Sequence, residues 1–279
     1  MLNDLIHAWL SEDIGEGDHS TLASINSEAR STARLLIKEK GIIAGLAVAK
    51  RIYELTDVSA NIQWFKQDGD AIEAGEVAFI VEGNAQNILS TERLILNCMQ
   101  RMSGIATKTH ALSQQIAHTS TKLLDTRKTT PGFRLLEKEA VRIGGGHNHR
   151  FGLYDMIMLK DNHIDFCGGI QKAVDAVNAY KKAENLTIPV EVEVRNEAEL
   201  HQVIQTQGVN RILLDNFSPE QIKSCISLIP SHFEIEASGG ITEANIVGFA
   251  EAGVHFISVG ALTHHVKSLD LSLKAIIHS

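Results

Sequence analysis

Residues Val190–Asp215 read VEVEVRNEAELHQVIQTQGVNRILLD. Two short runs rich in Val, Ile and Leu, at 190–194 and 211–215, enclose a segment, 198–207, whose apolar residues recur at helical spacing. Strand, helix and strand in so short a span form a βαβ unit, and such units wind right-handed into a parallel sheet. The same rhythm extends to both sides. Further β-rich runs occupy 122–125, 156–160, 233–237 and 255–259, and residues 170–185 supply another helical pattern.

The ends of these runs separate a barrel from an open sheet. Asp125 (with Arg127 and Lys128 just after it), Lys160, Glu193, Asp215, Glu236 with Ser238-Gly239-Gly240, and Gly260 each stand at the close of a run. In a barrel those ends converge on one mouth, where reactive groups meet. An open dinucleotide-binding sheet would favour GxGxxG after its first strand, and that fingerprint is missing. The expected fold is α/β, an incomplete TIM-like parallel α/β barrel over 113–267. Residues 1–112 follow a different rhythm and predict a smaller α+β domain. It would hold a helix at 2–10, strands at 33–38 and 77–82, and a long helical stretch at 87–118 carrying Arg93 and Arg101. A C-terminal helix over 268–279 is expected to pack with this domain.

With 279 residues, 44% of them hydrophobic and 22% charged, the chain is long enough to bury a sizeable core. Its formal charge is -8, yet residues 123–164 concentrate Arg127, Lys128, Arg134, Lys138, Arg142, Arg150 and Lys160. Cations gathered in an acidic protein suit a small, strongly anionic ligand; a nucleic-acid surface would tilt the whole domain basic. No apolar run approaches the roughly 18 residues of a membrane span. The first residues lack the basic flank of a signal peptide, and Cys98, Cys167 and Cys225 form no CxxC pair. A reduced, cytoplasmic protein is expected.

Individual residues sharpen the chemistry. Arg127 and Lys128, followed by two threonines and a Pro-Gly turn, can hold a carboxylate or phosphate, the arginine as a fork and the lysine as a point charge. A solvated turn is the bland alternative. Gly144-Gly145-Gly146 runs straight into His147-Asn148-His149-Arg150, so donors follow a flexible turn. The HxH pair could hold a metal, but it follows a glycine turn and not a clear strand end, which disfavours a transition-metal site. Lys160, closing an apolar run, is either a snorkelling boundary residue or an active-site cation, and a Schiff-base lysine is conceivable. Glu191 and Glu193 are expected on opposite faces of their strand, with Glu193 facing the barrel interior. Carboxylates placed like Glu193 and Asp215 suit Mg²⁺ held through ligand oxygens, sugar hydroxyls or a developing cation. Ser238-Gly239-Gly240 and Gly260-Ala261-Leu262-Thr263 would offer backbone N–H groups at helix starts, a phosphate-binding device.

Several stretches, in order, carry a resemblance. They are RMSGIAT from Arg101, DTRKTTPG from Asp125, GGGHNHR from Gly144, LKDNHI from Leu159, EVEV from Glu191, LLDN from Leu213, EASGG from Glu236 and VGALTH from Val259. With EDIGEGDHST near the N-terminus they span almost the whole chain, which resembles the quinolinate phosphoribosyltransferase family. Glu139, where a tyrosine often stands in that family, is a departure on a predicted helix. The resemblance implies transfer of a phosphoribosyl group from phosphoribosyl pyrophosphate to quinolinate, with Mg²⁺, giving nicotinate mononucleotide, pyrophosphate and CO₂. It further implies that Arg127, Lys128, His149, Arg150 and Lys160 bind quinolinate and the donor, and that Glu193 and Asp215 contact ribose and Mg²⁺. The backbone at Ser238, Gly239, Gly240, Gly260 and Ala261 would hold the 5′-phosphate. Arg101 would reach the partner's site, making a homodimer with shared active sites part of the mechanism. The competing expectations are a relative of this fold that serves molybdenum transport, a Schiff-base lyase, and a non-catalytic anion-binding barrel.

Overall fold

Six parallel strands follow one another around a ring. In the computed structural model, which describes residues 1–277, they span Lys122–Leu124, Ile157–Leu159, Val190–Val194, Arg211–Asp215, Glu234–Ser238 and Phe256–Ser258. From the third onward each pairs in parallel with its predecessor in the chain. The first pairs with the last, the neighbour relation that cyclic closure produces. The ring stays open between the first and second strands, where His147 makes a single parallel bridge to Leu124. This is the incomplete α/β barrel expected.

Each strand is short, and a helix or tight turn follows it. Asn196 caps the helix Glu197–Val203 by accepting the Glu199 N–H, and Ser218 with Gln221 forms a reciprocal cap on Pro219–Cys225. The faces of the strands differ sharply. Val192, Val194, Ile212, Leu214, Ala237 and Ile257, completely buried, lie on one face. By alternation the other face carries Glu191, Glu193, Arg211, Asp215, Glu236 and Ser238, so the barrel lumen is charged. Glu191 and Glu193 therefore share a face, contrary to the expectation of opposite faces. Residues two apart on a strand point the same way, and both carboxylates are buried.

The chain divides into two compact units. The barrel unit comprises 111–128 and 146–261; the other comprises 1–110, 129–145 and the segment from 262 onward. The helix Arg134–Ile143, expected within the barrel domain by sequence order, thus groups with the other unit. The 112/113 boundary falls inside a 31-residue helix, Ala85–Gln115.

In this second unit four strands form an antiparallel sheet in the order Leu271–Ala275, Arg30–Ile37, Val77–Asn84, Asn61–Trp64. Tyr53, on the helix Leu46–Thr56, meets Phe79 of the sheet edge-on at 6.4 Å, and Trp64 packs on the same ring at 5.0 Å. The expected C-terminal helix over 268–279 is corrected here: residues 271–275 are a strand paired with 30–37, and residues 278–279 lie outside the described residues. Leu269, Leu271 and Leu273 are all buried, a two-residue period that belongs to a strand and not to a helix. The RMSGIAT segment docks the long helix. Ser103 Oγ accepts the Ala44 N–H at 2.9 Å and Thr107 Oγ1 accepts the Ile42 N–H at 2.8 Å. A Cβ on Gly104 would come within 2.3 Å of the Lys267 carbonyl oxygen, so only glycine permits the approach.

Candidate active site

The carboxyl ends of the barrel strands gather most of the residues singled out in the sequence. Lys160 caps the helix Asp161–Cys167, and its backbone N–H donates to His163 Nδ1 at 3.0 Å. Its side chain runs to Glu193 on the next strand, with Nζ 2.5 Å from Oε2. Asp215 stands one strand further along. Burial first, and then the Glu193 charge, push its carboxyl above the usual range, with Lys160 pulling the other way. Two carboxylates thus share one ammonium, which leaves net negative charge at the donor set. Oxygen donors with surplus charge fit a hard divalent cation.

The cations sit on the segments that flank the open side of the ring. Arg127 and Lys128 follow the first strand and are exposed; the Lys128 N–H donates to Thr126 Oγ1 at 3.1 Å, which closes a small turn. Arg150 is half-buried and its guanidinium donates to the Met156 carbonyl at 3.1 Å. Burial first, and then the positive charge of Arg127, depress the Arg150 pKa. Positive groups whose charges disfavour one another suit a site that takes an anion.

Asp125 anchors this arrangement. Completely buried, it accepts the His149 N–H on Oδ1 at 2.8 Å, while its own N–H donates to the His147 carbonyl. His149 does not stand at the exposed rim with Arg127 and Lys128. Its ring, 5% exposed, faces into the lumen with Nε2 3.0 Å from Glu191 and 3.4 Å from Glu236. Arg211 holds Glu236 at 2.9 Å and Glu234 at 2.8 Å and stacks over Phe256 at 4.1 Å. The sequence reading named His149, Glu191 and Glu236 but not their meeting in the interior, nor Arg211 among them; the visible signal was a charged residue alternating with Val or Ile in VEVEV and EIEAS.

Crowded charges in this cluster favour the uptake of one proton. Burial first, then the Glu236 charge, raise Glu191. Burial opposes a charged His149, but the two carboxylates outweigh it and raise the ring to about 9. The Arg150 N–H donates to Nδ1 at 2.7 Å, so a second ring proton would displace that donor. The neutral Nε2–H tautomer with the proton on Glu191 satisfies both contacts. His149, Glu191 and Glu236 also bring ligand atoms within 4.8 Å of one another, the one such trio found among the described residues. With the proton on Nε2 no lone pair faces an ion, and Arg211 already neutralises Glu236. His147 belongs to no such group, and burial depresses its pKa; the HxH pair is not a chelate.

The glycine turns differ in kind. Gly239 and Gly240 have φ of 92° and 62°, and a Cβ on Gly239 would lie 2.9 Å from the Asn216 backbone nitrogen. The following helix begins only at Ile246, so Ser238-Gly239-Gly240 is a left-handed turn, not the helix start expected. Gly260 does precede a helix directly, at Ala261–His264.

Arg101 lies in the other unit and is tied within its own chain. Nε and Nη2 donate to Glu137 Oε1 at 3.1 and 2.9 Å, Nη1 donates to the Val266 carbonyl at 3.3 Å, and Nη2 also donates to the Thr263 carbonyl. Arg93, eight residues earlier on the same helix, is exposed.

The chain is similar to known proteins over nearly its whole length. Residues 18–103 match the family described as quinolinate phosphoribosyl transferase, N-terminal domain, and 105–274 match its C-terminal domain. A Nicotiana tabacum protein, quinolinate phosphoribosyltransferase [decarboxylating] 1b, is 45% identical over 98% of this chain and 82% of its own. A probable nicotinate-nucleotide pyrophosphorylase [carboxylating] of Bacillus subtilis is 44% identical over 98% of this chain and 92% of its own. The solved nicotinate-nucleotide pyrophosphorylase of Francisella tularensis superposes with a TM-score of 0.90 at 42% identity, covering 99% of this chain and 96% of that one.

Proposed function

This chain belongs to the quinolinate phosphoribosyltransferase family, and from that premise we propose how its residues carry the reaction. It transfers a phosphoribosyl group from phosphoribosyl pyrophosphate to quinolinate and decarboxylates the product, yielding nicotinate mononucleotide, pyrophosphate and CO₂ for NAD biosynthesis. The observation that supports the residue assignment best is the Lys160–Glu193 ion pair at 2.5 Å at the strand ends, with Asp215 one strand further along and half-buried Arg150 at the open side of the ring.

Quinolinate is a dianion, and exposed Arg127 and Lys128 with half-buried Arg150 supply the opposite charge; at Arg150, where water is partly excluded, the attraction is stronger than in water. They orient the ring so that its nitrogen faces C1 of the ribose. As pyrophosphate leaves, positive charge grows on the ribose, and Glu193 and Asp215 stabilise it. Lys160 holds Glu193 in place and offers its ammonium to the anionic groups. The pyridinium formed withdraws the electron pair left at C2 when CO₂ departs, and a proton from solvent takes up that pair. His149 serves from beneath, fixing the Arg150 backbone through Nδ1. The Ser238-Gly239-Gly240 turn and Gly260-Ala261 present backbone N–H groups to the 5′-phosphate. Glu193 and Asp215 would hold Mg²⁺, mainly through substrate and water, and the ion would supply charge neutralisation to the pyrophosphate.

A homodimer with shared sites is part of this reading. Leu89, an exposed apolar residue, and Arg93, four residues on, share one face of the long helix and suit a subunit contact. Arg101 would reach the partner's site, exchanging part of its contacts with Glu137, Val266 and Thr263 for the substrate. Cys98 and Cys225 are buried free thiols and Cys167 an exposed one, which favours a reducing, cytoplasmic setting. No helix among the described residues is long and apolar enough to cross a membrane.

The test is direct. Purified protein is mixed with quinolinate, phosphoribosyl pyrophosphate and Mg²⁺, and nicotinate mononucleotide and CO₂ are followed together, with nicotinate replacing quinolinate in parallel. Equal yields of both products, with nicotinate inert, are expected. Folded protein that forms neither product overturns the reading.

A further inference from the structure

Among the described residues, two other than glycine take a left-handed backbone: Asn185 and Asn216, with φ of 53° and 57°. Asn185 follows the helix Ile170–Ala183, where the Leu186 N–H donates to the Lys181 carbonyl at 2.9 Å. That is an ordinary way to end a helix. Asn216 has no such reason. It leaves the strand Arg211–Asp215 and is exposed, so the core gains nothing from it. A strained conformation outside glycine persists only where its surroundings impose it, and such positions gather at functional sites.

The surroundings of Asn216 join two parts of the candidate site. Its backbone N–H donates to the Ser238 carbonyl at 2.9 Å, which extends the parallel pairing of 211–215 with 234–238. Its side-chain Nδ2 donates to Asp215 Oδ2 at 2.6 Å. An ionised carboxylate only accepts, so the amide nitrogen faces it and the amide oxygen turns the other way. Gly239 lies on that side: a Cβ added there would stand 2.2 Å from Oδ1 and 2.7 Å from Cγ. The flat amide therefore fills the space that a side chain on residue 239 would take. All of these residues belong to the barrel unit.

Asp215 is assigned above to the ribose, and Ser238-Gly239-Gly240 to the 5′-phosphate. In the donor these two groups are joined through C5′ alone, so their receptors must keep a fixed separation to be used together. We infer that Asn216 is a positioning residue: its side chain holds Asp215 while its amide face and backbone N–H hold the Ser238–Gly240 turn, so that ribose and 5′-phosphate are met as one unit. This rests on the transferase reading above and deepens it. Asn216 acts through Asp215 and the turn, not on the reacting atoms. Asparagine suits the position because it tolerates the left-handed region and carries a short donor for the carboxylate. Aspartate would set a second charge beside Asp215, and glycine would supply the backbone without the donor.

The test compares Asn216→Gly and Asn216→Ala in the full-length enzyme. Glycine takes the positive φ freely, so the first variant removes the amide without straining the turn; alanine removes it and keeps the strain. Asn216→Gly should melt near wild type and Asn216→Ala lower. In both, KM for phosphoribosyl pyrophosphate should rise at least about tenfold, while KM for quinolinate stays within about twofold. Calorimetry with nicotinate mononucleotide, and with the riboside that lacks its phosphate, gives the second arm. Wild type should prefer the mononucleotide, and that preference should shrink at least about fivefold in Asn216→Gly. Wild-type kinetics in Asn216→Gly, with only Asn216→Ala impaired, would confine the residue to shaping the chain and overturn the proposal. An unchanged preference for the phosphate would overturn it too, since Asn216 would then not act on the turn. An equal rise in both Michaelis constants would mark a general loosening and have the same consequence. Wild-type protein in the same assays keeps the two readings apart: if it forms no nicotinate mononucleotide from quinolinate, the transferase reading itself fails and this proposal with it.

Discussion

Replacing Lys160 by methionine keeps much of the stem and removes the ammonium that Glu193 and Asp215 share. At about 4 Å from a substrate anion, a unit charge is worth roughly 4 kcal/mol at an effective dielectric constant near 20. The Lys160 side chain is 45% exposed and already engaged with Glu193, so screening reduces this to roughly half, about 2 kcal/mol. The expected outcome is a fall in kcat/KM of about 30-fold. A second effect follows from Asp215, whose carboxyl is raised by burial and by Glu193 and lowered by Lys160. Without the lysine it rises further, so ionised Asp215 is reached only at higher pH and the acid limb of the pH–rate profile moves upward. Steady-state kinetics across pH with both substrates varied measures both effects. Adding Glu193→Gln to Lys160→Met tells the two roles of the lysine apart: recovery of activity would confine Lys160 to neutralising Glu193. A change of less than about threefold in the single variant, with an unmoved acid limb, would refute the assignment of Lys160 to the site.

Arg127→Ala should lower kcat/KM at least about tenfold while leaving the melting temperature near wild type, since the side chain is exposed. Arg211→Met should cost about 3–5 kcal/mol in urea unfolding, because it leaves Glu236 buried beside Glu191 with one countercharge fewer. A cost below about 1 kcal/mol would show that water reaches the lumen. The proton held by Glu191 gives a pH dependence. A group raised by folding stabilises fully below its ordinary pKa and loses that contribution as pH rises through the folded value, so stability should fall between 4.5 and about 7 as Glu191 ionises. Melting temperature measured against pH in wild type and Glu191→Gln checks this, and equal slopes would contradict it. Gly239→Ala must adopt a φ of 92° and meet Asn216; a loss of about 1–3 kcal/mol and a raised KM for phosphoribosyl pyrophosphate are expected.

The barrel was legible because its strands repeat a local code. Each run of Val, Ile and Leu ends on a charged or glycine-rich group, and Val190–Val194 and Arg211–Asp215 fall at the same residues in sequence and structure. The cations at 127, 128 and 150 were legible from chain proximity alone. What escaped depends on contacts between residues distant in the chain. Nothing local tells that His149 turns toward Glu191 and Glu236, or that Arg101 finds Glu137. The strand at 271–275 was misread because a short apolar run near a chain end fits either period until its partner, 30–37, is known. Helix 134–143 sits between two barrel strands in sequence, and only packing assigns it elsewhere.

The strand pairings also constrain the order in which the molecule can be completed. The first barrel strand, 122–124, finds its neighbour only in 256–258, and strand 30–37 gains its outer partner only from 271–275. During synthesis both sheets therefore wait, with bare edges, for partners that lie far along the chain. Contacts so far apart in sequence make folding slow and leave those edges open to pairing with other chains. Truncation ahead of residue 256 would deprive each sheet of a strand at once, and the nascent protein should depend on chaperones until those two strands arrive.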